Sequence, residues 1–104
     1  MKNPQRVEVW LADFGYTAKT RPAVVLSVPA LDEDRALATM VMHTTSLRGS
    51  RFEVAVNARF LRPGAFECQN LTTISHAQLL KKLGTLTALQ LQTIEDTVRL
   101  WLDL

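Results

Sequence analysis

The sequence predicts a small, strongly curved β-barrel with helices attached. Short apolar blocks, alternating or β-branched, fill the first two thirds of the chain. Turn residues separate those blocks at close spacing, and the last third changes to a helical period. From Val7 to Phe14, Val7, Val9 and Leu11 alternate with Glu8, Trp10 and Ala12, which reads as a strand with two chemically different faces. Phe14–Thr20 is a loop. Ala23–Val28 is a continuous apolar run, read as a buried strand, and Pro29–Arg35 is a polar, acidic, solvated loop. Leu37–Thr45 and Phe52–Val56 are the third and fourth strands, with a Gly49-containing turn from Leu47 to Arg51 between them. Arg62-Pro63-Gly64 marks another turn, followed by two short strands, Ala65–Gln69 and Leu71–Ile74.

Ser75-His76-Ala77-Gln78 has the capping-box pattern, and Gly84 after Lys81-Lys82-Leu83 is a helix stop, so a short helix is expected between them. Thr87-Ala88-Leu89-Gln90 repeats the pattern. Leu91, Ile94, Val98 and Trp101 then form one stripe at helical spacing, with Trp101 expected in the core.

The 104 residues suit one domain spanning 1–104. The net charge is only +2 but is unevenly placed. Between His43 and Gly64 stand Arg48, Arg51, Arg59 and Arg62 against the single acid Glu53, while Thr85–Leu104 holds Glu95, Asp96, Asp103 and only Arg99. That asymmetry suits a polyanionic ligand, and equally a scattered solvated surface. Cys68 is the only cysteine, which excludes an internal disulfide and fits a reducing compartment. One cysteine and two histidines do not make a usual structural zinc site. Met1–Arg6 leads into a strand rather than a signal-peptide core, and no apolar run approaches a membrane span. The expected setting is cytoplasmic, with no membrane and no metal or other cofactor.

Two segments could carry chemistry. Lys19-Thr20-Arg21-Pro22 sets two cations and a stiff turn directly before an apolar strand. Pro22 fixes its own φ and steers Arg21 away from helix, so this guanidinium, a planar fork of donors, has limited backbone freedom. Taken alone it reads more readily as a solvated loop cation. His43-Thr44-Thr45-Ser46-Leu47-Arg48-Gly49-Ser50-Arg51 places hydroxyls at a strand end and two Arg in the following turn. Those groups suit phosphate oxygens, although a polar hairpin satisfying its own backbone explains them as well. His43 and His76 lie far apart in sequence and read as structural or solvated.

Together the segments resemble the MazF/PemK family of bacterial toxin endoribonucleases. Arg6–Phe14 is similar to the family's opening strand, Arg21-Pro22-Ala23-Val24-Val25-Leu26-Ser27 to its Arg-Pro strand, and Met40–Ser46 to the strand ending in its Thr-bearing site. Phe52-Glu53-Val54 continues the match, and Ile74–Leu86, ending Leu83-Gly84-Thr85-Leu86, with the terminal helix resembles its C-terminal portion. The resemblance implies a mainly β SH3-like small barrel of the CcdB/MazF type with a C-terminal helix. It implies a homodimeric bacterial toxin, an antitoxin encoded alongside, and metal-independent, sequence-specific cleavage of single-stranded RNA. Arg21 matches the catalytic Arg and Thr45 the catalytic Thr or Ser, with Ser46 the alternate if the register slips. Lys19, Ser46, Arg48, Arg51 and Gln69 are the expected substrate contacts.

The implied chemistry is attack of a 2′-hydroxyl on its adjacent phosphate, leaving a 2′,3′-cyclic phosphate and a 5′-hydroxyl. Arg21 would stabilise the developing charge and Thr45 would add a hydrogen bond. DNA would bind without reacting, since it lacks the nucleophile. The chain departs from the family where many members carry a longer loop with a Gly-x-Glu element: Phe14–Thr20 is short and has no acid. The family's Gln followed by a cation is met only by Gln69, with Asn70-Leu71 after it. Two other readings fit the same fold: a non-catalytic, gyrase-directed toxin acting through Trp101 and Leu104, and an RNA-binding module using Arg48, Arg51, Arg59 and Arg62.

Overall fold

The computed structural model describes residues 2–15 and 19–104. Tyr16–Ala18, inside the expected loop, lie outside the described residues. Six strands, β1 (Glu8–Asp13), β2 (Thr20–Val25), β3 (Leu37–Thr44), β4 (Glu53–Ala55), β5 (Ala65–Ser75) and β6 (Leu79–Thr85), precede helix α1 (Ala88–Leu102). All neighbours pair antiparallel in the order β4-β5-β3-β2-β1-β6. The result is the mainly β architecture with a C-terminal helix that the sequence predicts.

Both faces of the central strands are apolar, and each feeds its own core. Val9, Val24, Val41, Phe66 and Cys68 pack with Leu91, Ile94 and Val98 of α1. Ala12, Ala23, Val25, Ala38, Met40, Ile74 and Leu79 form a second cluster, closed by Trp10 and Phe14. The alternation in β1 thus separates two cores rather than core from solvent. Burying Leu91, Ile94 and Val98 stabilises the helix–sheet contact by about 1.5–3 kcal/mol per side chain. Thr87 caps α1: its hydroxyl accepts from the Gln90 N–H (3.1 Å), and Gln90 Oε1 accepts from the Thr87 N–H (2.9 Å). Asp103, at φ 58°, ends the helix in the left-handed region. Arg6 ties the start of the chain to the fold by pairing with Glu95 of α1 and donating to the Leu26 carbonyl. Trp101 departs from the expected stripe: it is 43% exposed and meets Phe52 edge to face at 5.4 Å.

The helix expected after Ser75 is a single 3₁₀ turn, His76–Gln78, that runs straight into β6. Its local chemistry is as read, since Gln78 Oε1 accepts from the Ser75 N–H at 3.0 Å. Propagation fails because Leu79–Thr85 pairs with β1, burying Leu79 and leaving Leu80 exposed. Tertiary pairing outweighs local propensity here. Leu83-Gly84-Thr85-Leu86 is therefore a strand end, not a helix.

The two short strands expected from Ala65 to Ile74 are one strand, β5, interrupted by an irregularity. Val41 pairs with Leu71 and His43 with Phe66, so β5 takes five steps where β3 takes two. Residues 67–70 consequently stand opposite Met42 alone. Such a bulge re-aims side chains, here Gln69 and Asn70, out of the regular ladder, while Glu67 at its edge still pairs with Glu53 of β4.

Candidate active site

Two neighbouring concavities open around the adjoining ends of β2, β3 and β5. The first, about 490 Å³, is lined by Leu11 of β1, Thr20, Arg21 and Pro22 of β2, and His43 and Thr44 of β3, with Thr45, Ser46, Phe60 and Arg62 from the connections. Leu11 pairs with Pro22 and Ala12 with Arg21, so the Arg-Pro dipeptide is held in the sheet rather than in a free loop. At the end of β3, Thr44 is buried and its Oγ1 accepts from the Ser46 N–H at 3.0 Å. This hydroxyl-capped turn leaves Thr45 and Ser46 exposed at the rim.

Close backbone approach sets the far wall. A Cβ on Gly64 would overlap the Thr44 carbonyl oxygen and lie 2.9 Å from His43 Cε1, so the Arg62-Pro63-Gly64 turn can close onto β3 only without a side chain there. A Cβ on Gly84 would overlap the Phe60 ring, which rests on β6 and lines the cavity.

The second concavity, about 270 Å³, is lined by Arg48, Ser50, Phe52, Glu53, Glu67, Gln69 and Asn70. Its rim is fixed by Glu53, whose carboxylate accepts the backbone N–H groups of Arg48 (2.9 Å), Gly49 (2.8 Å) and Ser50 (3.1 Å). Those bonds, the one from Arg48 foremost, hold the Glu53 carboxyl below the ordinary Glu value. The one acid in the basic stretch is thus the clasp of its turn.

The concavities meet at an ion pair: Arg21 Nη1 and Glu67 Oε2 stand 3.8 Å apart. Glu67 Oε2 also accepts from Asn70 Nδ2 at 3.1 Å. Beside them His43 is 3% exposed, packed edge to face on Phe66 at 5.1 Å. Its Nε2 is buried without a hydrogen-bond partner among the described residues. Burial lowers the His43 pKa, with the negative charge of Glu67 pulling the other way, so the imidazole stays neutral at neutral pH.

The residues expected from sequence divide between these features. Arg21, Thr45 and Ser46 line one cavity together, although 24 positions separate Arg21 from Thr45. Arg48 and Gln69 line the neighbouring one. Arg51 lies over the Phe52 ring, 4.6 Å from its centroid, and lines neither. Lys19 is exposed and also lines neither; at φ 56° its carbonyl accepts from the Phe14 N–H (2.8 Å) and its own N–H donates to Gly15 O (2.7 Å). Its visible part is to close the loop. Sequence reasoning passed over Glu67, Phe60 and the contact of His43 with the cavity. The available signal for Glu67 was its spacing of two from Gln69, which puts both on one face of a strand. Among the described residues no three His, Cys, Asp or Glu side chains gather as metal ligands would, and no helix is long and apolar enough to cross a membrane.

Comparison with known proteins follows the same lines. A mycobacterial endoribonuclease solved in complex with its cognate antitoxin is 26% identical, with a TM-score of 0.84 over 97% of this chain and 96% of that one. MazF from Deinococcus radiodurans superposes with a TM-score of 0.85 over the full length of both chains at 20% identity. The MazE–MazF complex from the same organism gives 0.82 at 21% identity, over 98% of this chain and 97% of that one. No curated protein sequence matches. The family model for the PemK-like, MazF-like toxin of type II toxin-antitoxin systems matches residues 5–102, and the chain belongs to that family.

Proposed function

We propose that this toxin is an endoribonuclease that cuts single-stranded RNA at specific sequences without a metal ion. The observation that carries the reading is the placement of the Arg21 guanidinium and the Thr45 hydroxyl on one open cavity, with Arg62 beside them. A phosphodiester seated there meets a planar, charged donor and a neutral hydroxyl donor. Attack by the 2′-oxygen puts charge on the phosphoryl oxygens, and prealigned donors stabilise that charge more than they stabilise the ground state. The products are a 2′,3′-cyclic phosphate and a 5′-hydroxyl. The polar second concavity, with Arg48, Ser50, Gln69 and Asn70, suits a flanking nucleotide and provides the groups for sequence preference. The similar mycobacterial endoribonuclease, solved with its cognate antitoxin, supports an antitoxin as the partner of this chain as well. A homodimer in the bacterial cytoplasm completes the reading.

The test is incubation of purified protein with a long single-stranded RNA in EDTA, with mapping of new 5′ ends. Cuts at a recurring sequence that vanish in Arg21→Ala, with circular dichroism unchanged, are the expected result. Absence of cleavage at enzyme excess refutes the reading and favours a non-catalytic toxin. Cuts that persist in Arg21→Ala but are lost in His43→Ala would move the chemistry to the imidazole.

A further inference from the structure

We propose that Glu67 is the general base of this site, taking the proton from the attacking 2′-hydroxyl; the role rests on the ribonuclease reading above. The segment Phe14–Thr20, before the Arg-Pro strand, contains no acid. A carboxylate reaches the same guanidinium from a different strand: Glu67 of β5 stands 3.8 Å from Arg21. It stands at the edge of the bulge that sets residues 67–70 against Met42 alone on β3, opposite Glu53 of β4.

Glu67 also sits where a base is needed. Arg21 and Thr45 line the first concavity, Glu67 the second, and the ion pair bridges them. An RNA with its scissile phosphate on Arg21 and Thr45 and its 5′ side running toward the second concavity puts the preceding nucleoside, which bears the 2′-hydroxyl, on the Glu67 side. At 3.8 Å the pair is looser than a hydrogen-bonded fork, and Glu67 is about a quarter exposed, so an incoming hydroxyl has access to the carboxylate. Asn70 Nδ2 holds Oε2 at 3.1 Å and fixes the orientation of the group.

The charged and titratable groups around Glu67 leave it free for this work. Arg21 faces it from β2. His43 on β3 is neutral at neutral pH. Glu53, its cross-strand neighbour on β4, is committed to three backbone N–H groups. Arg48 shares the second concavity. In the step itself the 2′-O–P bond forms and the P–O5′ bond breaks. The 2′-hydroxyl proton passes to Glu67, the leaving 5′-oxygen takes a proton from water, and Glu67 returns its proton to the hydroxide left behind.

Single-turnover cleavage of a mapped RNA across pH tests the role. Wild-type protein should lose rate on the acid side through a single protonation. Glu67→Gln should cleave about 10²- to 10³-fold more slowly at neutral pH and lack that acid limb. Its affinity for DNA of the same sequence should be unchanged or higher. Glu67→Ala should regain cleavage when formate is added. A Glu67→Gln variant with the wild-type rate or the wild-type acid limb overturns the proposal, as does a rate loss explained by weaker DNA binding. Failure of formate to restore Glu67→Ala likewise reduces Glu67 to a counterion of Arg21 and overturns it. If wild-type protein cuts no RNA, the ribonuclease reading falls and this role falls with it.

Discussion

The core beneath α1 and the mouth at the ends of β2, β3 and β5 are built from the same strands and treat polar groups in opposite ways. Under the helix, Val9, Val24, Val41, Phe66 and Ile94 are fully buried. Cys68 Sγ, in that contact, faces the Phe66 and Ile94 carbonyl oxygens at 3.9 Å. One to three residues along the same strands, the mouth holds a buried imidazole nitrogen without a partner among the described residues, an ion pair left open at 3.8 Å and a threonine buried at a strand end. The unpartnered imidazole nitrogen costs stability that an apolar residue there would not. The contrast teaches that, among the described residues, the one unsatisfied buried side-chain nitrogen stands beside the open cavity, while the helix-covered side is kept for stability. Val7, with φ of 77°, is strained backbone just before β1, pinned by N–H donation to the Val25 carbonyl (3.1 Å) and by its own carbonyl accepting from Leu86 (3.0 Å).

That division can be broken by substitutions on either side. The largest effect expected is on chemistry: Arg21→Ala should lower RNA cleavage by at least about 10²-fold, the scale of losing a donor to a developing oxyanion. Its melting temperature should hold, because the Arg21–Glu67 pair is partly exposed and surface pairs contribute little. A rate loss matched by unfolding would erase the distinction between the regions. Next, Ile94→Ala, at a fully buried site, should cost about 2–5 kcal/mol in denaturant titrations while cleavage per folded molecule stays near wild type.

Gly64→Ala sharpens the comparison by coupling the two properties. The added methyl meets a backbone oxygen that cannot rotate away, so a destabilisation of about 1–3 kcal/mol is expected together with slower cleavage, as Thr44 and the rim at Thr45 are displaced. Unchanged kinetics in this variant would show that the rim does not depend on the turn. The smallest effect belongs to His43. Its folded-state pKa lies below the ordinary 6.5, so the unfolded chain takes up the proton first. The stabilisation from the neutral imidazole is complete above about pH 6.5 and is lost as pH falls through the lowered value. Urea titrations from pH 7.5 down to about 5 should show that decline, and His43→Leu should flatten it.

Much of this was legible in the chain. The caps of α1, its buried stripe through Val98, and the strands around Val24 and Val41 follow from local pattern. The meeting of Arg21, Thr45 and Ser46 was legible only by resemblance, because nothing local to either segment says that β2 and β3 are neighbours. The failures share one physical cause, long-range pairing. Gln78 does cap Ser75, yet β1 claims the next seven residues as a strand. Asn70 reads as a break between two strands, yet β5 passes through it by a bulge whose size depends on both neighbouring strands. Glu67 escaped notice for the same reason, since its value lies in a guanidinium from another strand. Arg51 shows the converse: two arginines in one turn look equivalent in sequence, and the adjacent Phe52 ring draws one of them away.

Cys68 is the sole cysteine, fully buried, its thiol pushed up to about 12 by desolvation. A thiol so protonated and so enclosed is silent toward maleimides and methanethiosulfonates while the barrel is intact. The molecule therefore arrives ready for site-directed spin labelling without prior removal of its native cysteine. A reporter introduced at Leu47 or Ala55 would carry the whole signal, and the sudden appearance of a second label would time the release of α1 from the sheet.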